Sequence, residues 1–113
     1  MSLEDIKKEV VDAKNHDGRN YSRFTSNFYI LRSALRYFKV KKNVSFTSSK
    51  VAEEFPLPVS TAGSALKVLE DLDIVERRTD STRKRYMPGD VDLEKLEKVR
   101  KVLLENHEIR EHH

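Results

Sequence analysis

Between Arg77 and Tyr86 the chain places Arg77, Arg78, Arg83, Lys84 and Arg85 against a single acid, Asp80. Guanidinium and ammonium groups so closely spaced suit phosphate oxygens: Arg presents a planar fork of donors and Lys a compact charge. A second polar set, Ser60, Thr61, Gly63, Ser64 and Lys67, falls off the apolar stripe of an expected helix. Hydroxyls of this kind bond to phosphates or to base edges. No Arg, Asn or Gln stands beside them to grip guanine or adenine with two bonds, and Glu70 and Asp71 follow with the wrong charge for phosphate. Any binding to nucleic acid would therefore lean on backbone contacts and duplex shape. Each set also has an ordinary alternative. The helix could simply carry a polar outer face, and the basic residues could serve solubility or protect a sheet edge.

Catalytic chemistry is poorly supplied. His16 falls in an expected loop, His107 in the last helix, and His112 and His113 at the end, none at metal-ligand spacing with carboxylates. The absence of Cys excludes thiol nucleophiles, thiolate zinc sites and disulfide scaffolds. Glu53-Glu54 and Glu70-Asp71 belong on solvated helical faces, and Gly63 alone makes no phosphate loop. No enzyme, metal or cofactor is expected.

With 113 residues the chain fits one domain. Apolar residues make up 37% and charged residues 36%, yet the apolar ones recur in periodic blocks that one small core can use. No apolar run approaches the roughly 18 residues of a membrane span. The N-terminus lacks a signal-peptide core, so a soluble cytoplasmic protein is expected. The net charge of +3 and a pI near 9.2 are too mild to name a partner, but the charge is uneven. Arg32, Arg36, Lys39, Lys41 and Lys42 form one basic cluster and the 77–85 segment another, with an acidic stretch between them. The two clusters could meet on one face or stay separate solvated patches.

The elements that must position these groups follow from periodicity. Residues 1–14 read as an amphipathic helix with a Ser2/Asp5 capping box, apolar at Leu3, Ile6, Val10 and Ala13, with Glu4–Lys8 as a supporting pair. After a turn at 15–20, one helix carries Phe24, Phe28, Leu31, Leu35 and Phe38 as its stripe, with Ala34 beside it. Val44-Ser45-Phe46 reads as a short strand, and Thr47 caps a helix from Ser48 to Phe55 that Pro56 and Pro58 end. Ser60 is expected to cap the next helix, behind a Val59 staple, with Ala62, Ala65, Leu66, Leu69 and Leu72 inward. Strands at Ile74–Arg78 and Lys84–Pro88 form a hairpin, and Asp92 caps a last helix with Leu93, Leu96, Val99 and Leu103 on one stripe.

The ordered set from 22 to 88 resembles the winged helix-turn-helix family of DNA-binding proteins, in the style of bacterial and archaeal transcription regulators. Phe46–Phe55 is similar to that family's second helix, Val59–Leu72 to its recognition helix, and Asp73–Tyr86 to its wing. The family often has Gly where Asp73 stands; Asp tolerates the left-handed backbone better than most residues. The expected fold is mainly α with a small β-hairpin, a winged helix-turn-helix flanked by terminal helices at 1–14 and 92–109. The resemblance implies duplex DNA as partner, contacted by Ser60, Thr61, Ser64, Lys67, Arg78, Arg83, Lys84 and Arg85. An RNA- or ribosome-associated protein and a module used only for protein contacts remain open, since fold alone does not choose. Leu96, Val99 and Leu103 are expected to pair two copies into a homodimer, unless the terminal helices close on their own chain.

Overall fold

The computed structural model describes residues 2–41, 44–79 and 84–111. Ser2 caps the first helix, α1 (Leu3–His16), through the expected box: its hydroxyl accepts the Asp5 amide and the Asp5 carboxylate accepts the Ser2 amide. Lys7 rather than Lys8 pairs with Glu4, one residue closer along the helix. Asp17 then starts α2 (Gly18–Ser26) by accepting the Asn20 amide at 3.2 Å. The single helix expected across Phe24–Phe38 is in fact two. Asn27, at φ −119° and ψ 21°, leaves helical geometry and donates its side-chain amide to the Arg23 carbonyl, so the chain turns before α3 (Phe28–Val40).

Phe46 forms an isolated antiparallel bridge to Tyr86, which is all that remains of the expected strand at 44–46. Thr47 caps α4 (Ser48–Glu54) by accepting the Lys50 amide. The next helix, α5 (Val59–Asp71), begins one residue earlier than expected. Pro58 stands at its N-cap and no side chain caps it, so Ser60 lies inside the first turn and Val59 is 51% exposed instead of forming a staple. The inner stripe is as read: Ala62, Ala65, Leu66, Leu69 and Leu72 are all buried.

At its end Asp73 adopts φ 57°, its amide bonds to the Glu70 carbonyl and the Ile74 amide to that of Leu69. That pair of bonds is a Schellman stop, which favours Gly but admits Asp. The hairpin is shorter than expected. Its strands are β1 (Arg77–Thr79) and β2 (Lys84–Tyr86), because Ile74 and Val75 bend into the core and Pro88–Asp90 forms a 3-10 turn. Among the described residues the fold is mainly α-helical, six helices with a small antiparallel two-strand hairpin before the last one. A ring stack ties the hairpin to α3: Phe38 lies 4.7 Å from Phe46, and Phe46 5.7 Å from Tyr86.

The last helix, α6 (Leu93–Glu105), is capped by Asp92 and packs on α1. Leu96, Val99 and Leu103, the expected dimer seam, are 1%, 0% and 0% exposed within one chain. They belong to the same core as Ile6, Val10 and Phe24, so the terminal helices close on their own fold. Lys95, only 8% exposed, reaches Glu9 at 3.2 Å, and Lys14 reaches Glu108 at 3.0 Å. The Tyr21 hydroxyl donates to Glu108; burial and that carboxylate hold its proton far above the ordinary phenol range. Among the described residues no helix is long and apolar enough to cross a membrane. Leu103→Ala is expected to cost about 2–5 kcal/mol in urea unfolding, as a cavity in a packed core does, without changing the solution mass.

Candidate nucleic-acid interface

The outer face of α5 is set by its inner one. With Ala62, Ala65, Leu66 and Leu69 inward, helical geometry turns Ser60, Thr61, Ser64 and Lys67 away from the core. Ser60 and Lys67 are exposed; Thr61 and Ser64 are half-buried. The uncapped start of α5 leaves amides of its first turn without helical partners, the positive end of the helix dipole. Gly63 lies on this side, and a Cβ added there would meet only Ser48, at 3.8 Å.

One residue in this region escaped the sequence reading. Arg23, on α2, donates from Nη1 to the Ser64 hydroxyl at 2.9 Å. The contact exists because α5 packs most extensively against α2. Ser64 therefore already holds a cation at the edge of α5. The available signal was the four-residue spacing of Arg19 and Arg23 in a segment without acids, 18–26, together with Asp17 as a capping residue. Reading 15–20 wholly as a turn concealed it.

The wing is less open than its sequence suggested. Arg78 grips Asp90 with two bonds, 3.0 Å from Nε and 3.4 Å from Nη2, and Arg77 lies 3.4 Å from Glu70. Arg78 and Arg85 are cross-strand partners, an arrangement of like charges that Asp90 offsets on one side. Lys84 is exposed and Arg85 half-buried. Arg83, with the rest of the hairpin tip, lies outside the described residues.

Three cations of the other basic cluster, Arg32, Arg36 and Lys39, are taken up by internal partners. Arg32 and Arg36 both reach Oε1 of Glu97, at 2.6 and 3.2 Å, and Arg100 reaches its Oε2 at 3.5 Å. Lys39 donates to the carbonyls of Gly89 and Val91, and Lys41 caps the Tyr37 ring 4.3 Å from its centre. Arg32, Arg36 and Lys39 thus tie α3 to the segment 89–97, and Lys42 lies outside the described residues. Glu9, Asp12, His16 and Asp71 line an acidic cleft that a phosphate chain would avoid; Asp71 stands one turn beyond Lys67 on α5. Among the described residues no group of three or more His, Asp or Glu is placed to hold a metal.

No protein-family model, curated protein or solved structure matches the chain. Gly63→Ala is expected to raise stability by about 0.5–1 kcal/mol in chemical unfolding, because Gly63 has no positive φ and the new methyl makes only an ordinary van der Waals contact with Ser48.

Proposed function

We propose that the chain is a DNA-binding winged-helix protein of the transcription-regulator type, with the first turns of α5 in the major groove and the wing against the adjacent backbone. The observation that carries this reading is how the cations are used. Arg32, Arg36 and Lys39 are satisfied by Glu97 and by backbone carbonyls, whereas Lys67 and Lys84 stand exposed and the leading half of α5 carries hydroxyls and no acid. A surface with small hydroxyls, uncapped amides and cations suits phosphate, and a helix with small leading residues can approach base edges.

On this reading Ser60 and Thr61 contact phosphate or bases, Lys67 and Lys84 contact phosphate, and the protein acts in the cytoplasm beside the genome. It assigns no catalytic step and no cofactor. A homodimer would need a surface other than Leu96, Val99 and Leu103, which one chain already covers. The half-site spacing that a two-fold pair imposes would then follow from that other surface.

The test is an anisotropy titration with duplex DNA, duplex RNA and single strands at two or more salt concentrations. Duplex DNA is expected to bind tightest, with a steep dependence on salt. Lys67→Ala should reduce the slope of log affinity against log salt by about one. Asp90→Asn removes a carboxylate from beside the hairpin, so it should raise affinity by lowering the repulsion of phosphate. No binding to duplex DNA, or tighter binding to RNA, overturns the proposal.

A further inference from the structure

Resting on the reading above, we infer that α2 is a second arm of the DNA interface, in which Arg23, held at Ser64, and Arg19 contact the phosphate backbone beside the groove that α5 enters. Three features of this helix point to a polyanion. Its residues 18–26 include two Arg and no acid, although charged residues of both signs make up 36% of the chain. Tyr21 and Phe24 face the core, which turns Arg19, Ser22 and Ser26 to solvent. That outer face repeats the chemistry of α5, with hydroxyls beside cations.

The hydrogen bond from Arg23 to Ser64 makes the two faces continuous. It also leaves most of the Arg23 fork unused, since a guanidinium carries five donors and Ser64 accepts one. No carboxylate pairs with Arg19 or Arg23 among the described ion pairs, in contrast with Arg32, Arg36, Arg77 and Arg100. The inference changes the role of Ser64. It becomes a positioning residue that holds Arg23 at the edge of the groove, and not a reader of bases.

The same titration separates this inference from the reading it rests on. Arg19→Ala and Arg23→Ala should each lower the salt slope by about one, and the double variant by about two. Arg23→Lys, which keeps the charge, should keep the slope. Ser64→Ala should leave the slope and the order of preferred sequences intact while weakening binding several-fold. Circular dichroism of each variant checks that α2 remains folded; Arg19 is exposed, so its variant reads the charge even where Arg23→Ala loosens the packing. Unchanged slopes for both Arg variants, with Lys67→Ala still lowering it, would overturn the role of α2 and leave the α5 reading standing. A change in sequence preference on Ser64→Ala would return Ser64 to base contact and overturn its positioning role. Failure of the unaltered protein to bind duplex DNA would overturn both.

Discussion

The structure depends on covering one stripe: Ala62, Ala65, Leu66, Leu69 and Leu72 along the inner side of α5. The stripe is small at its start and large at its end, so neighbouring helices approach closely near Ala62 and Ala65. Burying aliphatic side chains of this size contributes roughly 1.5–3 kcal/mol for each large one, and no single helix can cover the whole stripe. Two do so, α2 and α4. Once they are seated, the outer face of α5 has no freedom left: its hydroxyls and Lys67 must point to solvent, and Arg23 must fall beside Ser64.

The same burial sets the wing. The Schellman stop at Asp73 sends Ile74 and Val75 into the core, so the hairpin emerges only at Arg77, where its first cation meets Glu70. Phe46 and Tyr86 then fix the hairpin's base by a backbone bridge and a stacked ring pair. Burial drives the Tyr86 hydroxyl above its usual range, in keeping with a structural anchor that stays neutral. Charge placement follows. Glu97 and the carbonyls near Val91 take up Arg32, Arg36 and Lys39 of α3 to hold the helices together, while Arg19, Lys67 and Lys84 stay exposed.

Much of this was legible in the sequence, for identifiable reasons. The α5 stripe, the Thr47 and Asp92 caps, the Ser2/Asp5 box and the left-handed Asp73 are local features, set by periodicity or by one side chain. Some errors were local, as in taking Ser60 for a cap and 15–20 wholly for a turn, and the others were tertiary. Nothing local announced that Asn27 would divide an apolar stripe continuous from Phe24 to Phe38. The α6 stripe reads alike whether a second copy or α1 covers it, and only the fold shows that α1 does. Arg78 reads as an exposed cation until Asp90, twelve residues later, is brought beside it. Ser64 likewise reads as open until α2 delivers Arg23.

The most direct test of the account is to follow backbone amide NMR shifts as duplex DNA is added at low salt. The account predicts that the largest changes fall on the first half of α5, on the outer residues of α2 and on β2, while α3 and α6 stay still. Changes concentrated on α3 and α6, or none at any residue, would contradict it.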